Sequence, residues 1–290
     1  MPESHSLTQL PEDPERALLQ QGADELYFDA DLYDHEYRRR RHDVAWYRQL
    51  ATDMAQVHRP PLSVVELACG TGRLLTPLVR DGHRLIGIDR SREMLRRCQE
   101  RLSRVGRQAS ERALLLRADM RELPLDVKKQ DRFRLILCPF NGLQHLYSRD
   151  DLERFLAEIR RLLHPDGLFA FDVLNPDLQW LSRSSTKRWS RTRIKHPRSG
   201  ERLIYSTNHD YDPASQVQWI RIFYEPDPKA PSAQASAPRT ISLTQRLYFP
   251  AELEALLHYN GFTLWHRAGG FDGQPLCPVS VEQVICARVR

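Results

Sequence analysis

This 290-residue chain has no stretch approaching the roughly 20 consecutive apolar residues that a transmembrane helix needs. Its first 21 residues, MPESHSLTQLPEDPERALLQQ, also lack the apolar core and the small-residue cleavage site of a secretory signal peptide. We therefore expect a cytoplasmic protein that does not use a membrane as its partner.

Cysteine is scarce as well, because the chain has only five cysteines, and none of them forms a CxxC pair. Such scattered residues do not make a disulfide framework or a zinc site, and we interpret them as reduced core or loop residues. No histidine or carboxylate stands at a metal-ligand spacing beside the motifs described below, so we predict no metal. The five are Cys69, Cys98, Cys138, Cys277 and Cys286.

The overall composition is that of an ordinary globular protein, with 41% hydrophobic and 28% charged residues. The length suits one large domain or two small ones. A net charge of +5 and a pI near 9.0 permit a nucleic-acid partner without demanding one. The densest basic run, Arg38 to Arg41, is flanked by acids, and we interpret it as a solvated helix face.

Between residues 60 and 175, short apolar segments alternate with amphipathic ones, which predicts a mostly parallel sheet with helices on both faces. In such doubly wound, Rossmann-like α/β folds, ligands bind beyond the carboxyl ends of the strands, where the strand order reverses. The predicted strands are 63–68, 84–88, 113–117, 134–138 and 168–173, and the predicted helices are 73–80, 91–105 and 151–163.

The alternation of predicted strands and helices does not extend to the segments on either side of residues 60–175. A helical pattern covers 34–57, so residues 1–58 are predicted to form an N-terminal arm and helical cap ahead of a domain over 59–290. After Pro176 the strand-like segments 203–207, 217–224 and 241–247 follow without a strong helix between them, which predicts an antiparallel β insertion over 176–249. The loop 225–239 of this insertion is rich in Pro, Ala and Ser and is expected to be mobile. After the insertion, the alternation of helices and strands is predicted to resume with helix 251–259 and strands 262–266 and 281–288.

The strongest motif is the segment VVELACGTGR, residues 64–73. Two glycines at a strand-to-helix turn let a ligand approach the backbone, and the next helix points free amides at it. Dinucleotide enzymes carry a third small residue for close helix packing, but Leu75 occupies that position here. The pattern therefore argues against NAD and favours a ligand with a ribose but no phosphate.

Acidic residues follow the next two predicted strands. Asp89, at the end of the second strand, can accept hydrogen bonds from both ribose hydroxyls, although a helix-capping role is the alternative. Asp119, after the third strand, can accept the amino hydrogens of adenine while Met120 packs on the ring. Taken alone, Asp119 would be interpreted as a turn residue.

Together, the segments ELACGTGR, GID and ADM resemble those of class I S-adenosylmethionine-dependent methyltransferases, over about residues 60–175. The resemblance implies a seven-stranded sheet with a reversed last hairpin and S-adenosylmethionine as cofactor. It also implies that Gly70 and Gly72 flank the methionine part, that Asp89 holds the ribose and that Asp119 binds adenine. The predicted cofactor-binding residues are Tyr33, Glu66, Ala68, Cys69, Gly70, Gly72, Asp89, Arg90, Met94, Asp119, Met120, Pro139, Phe140 and Asn141.

Two further features resemble the branch of this family that methylates small-molecule amines and aminosugars. One is Tyr33-Asp34 with Tyr37 ahead of the domain, and the other is the insertion after the fifth strand. In such enzymes these parts cover the active site. An aromatic cluster of Tyr27, Tyr33, Tyr37 and Trp46 would close over the cofactor, or else it merely attaches a helix to the sheet edge.

The segment CPFNGLQHL, residues 138–146, follows the fourth strand, where the transferable methyl group should lie. Phe140 and Asn141 are candidates for lining the sulfonium end, and the segment departs from the motif of enzymes that act on nucleobase or glutamine nitrogens. His145 and Tyr33 are the candidate catalytic residues. His145 is either a general base or a residue that orients its loop. Asp172 or Asn175, at the end of the fifth strand, are candidates for contacting substrate.

The preferred function is therefore transfer of a methyl group from S-adenosylmethionine to a nitrogen or oxygen of a small molecule. An RNA methyltransferase acting on tRNA or rRNA is the second choice, because of the basic pI, and a non-catalytic S-adenosylmethionine-binding protein is the third. We expect a monomer or a homodimer.

Overall fold

The structure is a computed structural model, and it describes residues 19, 22, 24–229 and 237–290. Strands rich in Val, Ile and Leu alternate with amphipathic helices, because each strand of a parallel sheet is buried on both faces. The helices are α1 Ala30–Tyr37, α2 His42–His58, α3 Leu75–Arg80, α4 Arg92–Ser103, α5 Arg107–Ser110, α6 Arg149–Leu162, α7 Leu178–Leu181 and α8 Pro250–Tyr259. The strands are β1 Ser63–Leu67, β2 Arg84–Asp89, β3 Ala113–Arg117, β4 Phe133–Cys138, β5 Leu163–Leu174, β6 Trp189–Lys195, β7 Arg202–Asp212, β8 Val217–Pro226, β9 Arg239–Arg246, β10 Phe262–Ala268 and β11 Glu282–Val289.

Seven strands form the central sheet in the order β10-β11-β5-β4-β1-β2-β3. Strands β1 to β5 are parallel, and β11 runs antiparallel to both β5 and β10. Alternate residues of each strand face opposite layers, so Val64 and Val65 belong to two separate hydrophobic cores. The predicted Rossmann-like α/β fold with a mostly parallel seven-stranded sheet is confirmed.

Strands β6, β7, β8 and β9 form a separate antiparallel sheet, which is the insertion expected after the fifth strand. One face of this sheet packs on the N-terminal cap through a small apolar cluster. The cap contributes Leu26 and Leu32, and the inserted sheet contributes Leu203, Ile222 and Leu243. Two elements far apart in sequence therefore form one unit beside the central sheet.

The cap differs from its prediction. The helical pattern over 34–57 is two helices, α1 and α2, with Arg38 to Arg41 at the break between them. The arginine run is consequently not a solvated helix face. Arg40 is three-quarters buried, pairs with Glu282 of β11 and places its guanidinium 4.8 Å from the centre of the Phe140 ring. These partners lie more than 90 residues away, so no local pattern reveals them.

Three further differences concern the ends of elements. The strand-like segment Trp189–Lys195 was missed by the prediction, and it forms β6 as the fourth strand of the insertion. Helix α3 begins at Leu75 rather than at residue 73, because residues 70–74 form turns at the mouth of a cleft. Of the loop expected to be mobile, residues 230–236 lie outside the described residues, as does most of the N-terminal arm.

No helix among the described residues combines the length and apolar composition required to cross a bilayer. Within the same described ranges, no three His, Cys, Asp or Glu side chains are grouped so that they would hold a metal ion.

Candidate cofactor and active site

A cleft with a volume of about 420 Å³ opens at the carboxyl ends of β1, β2, β3 and β4. Strand β1 lies between β2 and β4, so the strand order reverses beside it. Open α/β sheets bind ligands at such a point, because the loops on either side diverge and leave a crevice. The cleft therefore lies where the fold predicts a binding site.

The turn after β1 forms the floor of the cleft, and its two glycines have different roles. Gly70 has a positive φ of +52°, faces open space and donates its backbone N–H to Asp89 Oδ2 at 2.8 Å. Gly72, at φ +74°, lies against α4, where a Cβ would meet Cys98 Sγ at 2.5 Å. Gly70 thus keeps the cleft open, whereas Gly72 lets α4 pack closely.

Asp89 lines the cleft at the end of β2 and accepts two backbone hydrogen bonds. Its Oδ2 accepts from Gly70 N and its Oδ1 from Ser91 N, both at 2.8 Å. Burial raises the pKa of the Asp89 carboxyl, and these two N–H groups oppose that rise. A carboxylate offers about four lone-pair sites, so the side chain retains capacity for two more donors.

Glu66 of β1 lies deeper in the same cleft and is almost fully buried. Burial raises its pKa well above the ordinary value for a glutamate, and the charge of Arg73 opposes the rise. Oε2 has no hydrogen-bond partner among the described residues. A buried polar atom that points at a cleft and lacks a partner is costly unless a ligand supplies one.

Asp119 follows β3 and is held by Arg121. Its Oδ1 and Oδ2 accept from the guanidinium at 2.9 and 2.7 Å, and the same guanidinium donates to Asp151 at 2.6 Å. Burial would raise the pKa of Asp119, but the hydrogen bonds and charge of Arg121 outweigh it and lower the pKa. Asp119 is therefore a fixed carboxylate at the end of the cleft that also contains Met120.

The loop after β4 carries two consecutive residues with positive φ, Phe140 at +55° and Asn141 at +63°. The fully buried Asp172 holds this loop, because its Oδ1 accepts from Phe140 N at 2.8 Å and from Tyr47 Oη at 2.7 Å. Burial raises the pKa of Asp172 to about 6. Asp172 supports the cleft from behind and does not line it, and neither does Asn175.

Arg73 contributes a cation to the wall of the cleft. Its guanidinium donates to both carboxylate oxygens of Asp43, at 2.9 and 2.5 Å, and to the Arg40 carbonyl at 3.0 Å. It also lies 4.8 Å from the centre of the Phe140 ring. A bidentate guanidinium held in this way is rigid, so it presents a fixed positive charge to a ligand.

Aromatic rings from the cap close one side of the cleft. Tyr33 lies 5.8 Å from Tyr27 and 4.8 Å from Tyr37 between ring centres, and Tyr37 lies 4.9 Å from Phe140. The cap is fastened by Asp34, which accepts from the Thr71 hydroxyl and from the guanidinium groups of α4. The two guanidinium donors are Arg97, at 2.9 Å, and Arg101, at 2.6 Å.

His145 lies in the cleft against the Tyr27 ring, 5.5 Å between ring centres, and bonds to the cap. Its Nε2 is 2.7 Å from the Tyr27 hydroxyl, and its Nδ1 is 3.5 Å from the Tyr147 hydroxyl. Burial, assisted by the charge of Arg90, lowers the pKa of His145 to about 4. The imidazole is therefore neutral at pH 7.

The structure brings twelve of the fourteen predicted cofactor-binding residues into this one cleft, together with His145. The two that do not line it are Gly72, which packs on α4, and Asn141, whose side chain is buried behind the loop. The prediction assigned no role to several residues that do line it. These are Leu19, Asp24, Thr71, Arg73, Leu74, Ile88, Ser91, Ala118, Arg121, Gly142, Leu146, Tyr147, Ser148 and Asp151. Of these residues, Arg73 is the one that the sequence could have indicated, because it belongs to the ELACGTGR motif.

Comparisons with known proteins agree with this geometry. Residues 64–167 match the family described as a methyltransferase domain. The putative methyltransferase YqeM of Bacillus subtilis is 32% identical over 110 residues, which cover 38% of this chain and 41% of that protein. The dTDP-3-amino-3,4,6-trideoxy-alpha-D-glucopyranose N,N-dimethyltransferase of Streptomyces venezuelae is 24% identical over 248 residues, which cover 85% of this chain and 95% of that protein.

Among solved structures, an S-adenosylmethionine-dependent methyltransferase from Clostridium acetobutylicum superposes with a TM-score of 0.67 at 16% identity. The match covers 90% of this chain and 97% of the other, so the shared fold includes the cap and the insertion as well as the central sheet. The matched domain and the shared fold agree with each other. Residues 64–167 are similar to methyltransferase domains, and the fold is that of S-adenosylmethionine-dependent methyltransferases.

Proposed function

We propose that this protein transfers a methyl group from S-adenosylmethionine to a nitrogen or oxygen of a small molecule, and that the acceptor atom is an amine nitrogen. The observation that carries the proposal is the row of polar groups along the cleft, from Asp119 through Asp89 and Glu66 to Arg73, which ends at the aromatic wall of the cap. This order suits a nucleoside joined to an amino acid.

The cofactor fits the residues present. The unpartnered Glu66 Oε2 and the open lone pairs of Asp89 are acceptors without donors, and a ribose with an ammonium-bearing tail supplies both kinds of donor. We propose that Asp89 holds the ribose, that Asp119 and Met120 hold adenine, and that Arg73 holds the tail carboxylate. Ala68, Cys69 and Gly70 would lie along the tail, with Arg90, Met94 and Pro139 completing the walls.

When bound, the cofactor supplies a sulfonium that is already a strong methyl donor. The protein's task is therefore to position the acceptor in line and to exclude water. The rings of Tyr33, Tyr37 and Phe140 pack against one another, with centres 4.8, 4.9 and 6.4 Å apart, and form the wall that excludes water. In our proposal Tyr33 covers the reacting atoms and acts by this packing.

The state of His145 supports nitrogen over oxygen as the acceptor atom. An alcohol must lose a proton to attack, whereas an uncharged amine already has its lone pair. His145 is a weak base, since its pKa is about 4 and its Nε2 is engaged by Tyr27. We therefore propose that His145 positions the Tyr27 hydroxyl, whose oxygen accepts an N–H of the amine.

Carboxylates that line the cleft are also engaged in hydrogen bonds within the protein, so we do not propose them as the general base. Asp89 accepts two backbone N–H groups, and Asp119 and Asp151 bind Arg121. The activities named for two relatives, an aminosugar N,N-dimethyltransferase and a glycine/sarcosine N-methyltransferase, support an amine as well.

The five free cysteines support a reducing compartment such as the cytoplasm.

The test is a turnover assay that measures S-adenosylhomocysteine release with matched pairs of small amines and alcohols, including aminosugars and their hydroxyl counterparts. We expect turnover with at least one amine, none with its alcohol, and a rate that rises with pH as the acceptor amine loses its proton. Preferred turnover of an alcohol would contradict the choice of nitrogen. Tight cofactor binding without turnover of any acceptor in a broad panel would favour a non-catalytic binding protein.

A further inference from the structure

The positive charge of this protein is concentrated in one segment of the insertion, residues 183–202. This segment contains eight Lys and Arg residues and one acid, a net charge of +7, whereas the entire chain carries +5. The other 270 residues therefore have a net negative charge. The basic pI therefore comes from one segment of the sequence, which is distinct from the arginine run at residues 38–41.

The structure shows this segment as an exposed strip. It runs from the end of α7 through β6, the edge strand of the inserted sheet, into the turn before β7. All eight cationic residues are exposed. Three of them pair with acids: Arg188 with Glu225, Arg193 with Asp227, and Arg198 with Asp31. Arg202 lies close enough to Asp227 for its charge to lower the pKa of that carboxyl. Within the described part of the chain, no salt bridge is found for the other four, which are Arg183, Lys187, Arg191 and Lys195.

Two of the cations lie directly opposite each other. Lys195 of β6 and Arg202 of β7 are cross-strand partners, so their side chains share one face of the sheet. Like charges in this position destabilise a strand pair. Arg193, two residues before Lys195, shares that face at a spacing of about 6.6 Å along the strand. One carboxylate, Asp227, pairs with Arg193 and is also affected by the charge of Arg202, so a single acid serves three cations and the row keeps an excess of positive charge.

Aromatic rings lie between the cations. Arg183 lies over Trp180 and Trp189, at 4.3 and 4.8 Å from the ring centres, and Arg188 lies 3.9 Å over Phe223. The three rings are only partly buried, and Trp189 Nε1 has no hydrogen-bond partner among the described residues. Cations interleaved with aromatic rings are the surface that binds a single-stranded nucleic acid, because phosphates pair with the cations while bases stack on the rings.

The shape of β6 disfavours the main alternative, an acidic peptide that adds a strand to the open edge. The pairing of β6 with β7 shifts register between Trp189 and Thr192, and Ser190 has a positive φ of +54°. A bulge on an edge strand interrupts the ladder of backbone groups that an added strand would need. The side chains remain available at this edge.

We propose that the strip 183–202 is a binding surface for single-stranded RNA, separate from the cofactor cleft. Arg191, Lys195 and Arg202 supply phosphate contacts. Trp189 supplies base stacking at the same strand edge, although its cross-strand partner Thr207 places it on the opposite face of the sheet from Lys195 and Arg202. This binding does not depend on which acceptor the cleft methylates.

The test uses the full chain and a fluorescein-labelled oligouridylate of about 12 nucleotides, a length within the usual site size, with fluorescence anisotropy over about 50–200 mM salt. The test variant combines R191Q, K195Q and R202Q. The control variant combines R104Q, K128Q and K129Q, which removes the same charge from exposed positions elsewhere. S-adenosylhomocysteine affinity is measured for both variants to show that each is folded.

Losing three phosphate contacts should lower the slope of log K against log salt by about 2 and weaken binding about 100-fold at 0.1 M salt. The control variant should stay within about threefold of the wild type, because it removes only long-range charge. Trp189→Ala should weaken binding about tenfold, and Trp189→Phe should restore most of it.

Four results would overturn the proposal. They are absence of RNA binding by the wild type, an equal loss in the test and control variants, tighter binding of polyglutamate than of RNA, and tighter binding of anionic lipid vesicles. Each of these can occur while the protein still binds S-adenosylhomocysteine. If the wild type does not bind S-adenosylhomocysteine at all, that result counts against the proposed methyltransferase function, and the measured RNA affinity remains a valid test of the strip.

Discussion

Asp89 offers the sharpest test of how the cleft holds its cofactor. We proposed that its free lone pairs accept both ribose hydroxyls, while its other contacts, to Gly70 N and Ser91 N, hold the turn. Asp89→Ala removes both functions together, so the variant alone does not separate ribose binding from turn stability. Changing the ligand as well as the protein separates them.

The experiment is a double-mutant cycle measured by calorimetry, with wild type and Asp89→Ala against S-adenosylhomocysteine and its 2′,3′-dideoxy analogue. A hydrogen bond to a charged group contributes about 1.5–3 kcal/mol. Wild type should therefore bind the dideoxy analogue at least tenfold more weakly than the parent ligand. Asp89→Ala should bind both ligands with nearly equal affinity, because the partner of the hydroxyls is gone.

Asp89→Asn is the matched control for charge. An amide has one acceptor oxygen, so either Gly70 N–H or Ser91 N–H must face an NH₂ group, and the turn loses one bond. We expect this variant to lie between the other two in affinity and to unfold at lower urea concentration than wild type. If Asp89→Ala discriminates between the two ligands as strongly as wild type does, Asp89 does not hold the ribose.

Three further predictions concern the glycine turn, the buried histidine and the fastening of the cap. Gly72→Ala should lower the free energy of unfolding in urea by about 2–4 kcal/mol, because the alanine adds left-handed backbone strain and collides with Cys98 Sγ. Gly82→Ala is the control, because its Cβ meets no atom within 4 Å, and it should cost only the backbone strain of about 1–2 kcal/mol. Equal losses at the two positions would mean that Gly72 is not packed against α4. The folded-state pKa of His145, about 4, lies below its unfolded value, so the unfolded chain binds more protons between these values and stability should fall as pH drops from about 6.5 to 4. His145→Gln should remove up to about 3 kcal/mol of that acid sensitivity, and an unchanged pH profile of stability would show that His145 is not buried. Asp34→Ala leaves Arg97 and Arg101 without their carboxylate, so it should lower the free energy of unfolding by about 3 kcal/mol and weaken cofactor binding. The control Asp53→Ala, at an exposed position, should lower it by about 0.5 kcal/mol or less. Similar losses of stability for the two variants would count against the cap contact.

The sequence predicted the central sheet and the residues at its strand ends because both depend on local features. A strand buried on both faces is mainly apolar, as β1 is at Val64, Val65 and Leu67. The glycine turn that follows β1 leaves room for a ligand beside the backbone. Parallel strands end at one edge, so Glu66, Asp89 and Asp119 were expected together, and the structure places all three in one cleft.

The sequence was less informative where the relevant partner is distant. Whether Gly72 faces a ligand or a helix depends on Cys98, and whether Arg40 is solvated depends on Glu282 and Phe140. Strand β6 was missed because its alternation of arginine and small polar residues has no buried face of its own, apart from Ile194. Its partner β7 provides the ladder that makes it a strand.

The sequence by itself determined the α/β architecture, the turn that admits a ligand, and the acidic groups that mark a nucleoside site. The physical reason is that burial period, backbone freedom and side-chain charge are properties of neighbouring residues. Only the tertiary structure decided that His145 is neutral, that Asp43 holds Arg73 in place, and that the basic segment 183–202 runs along an exposed edge of the inserted sheet. Protonation states and surface fields depend on which distant groups lie nearby, and chain folding alone brings those groups together.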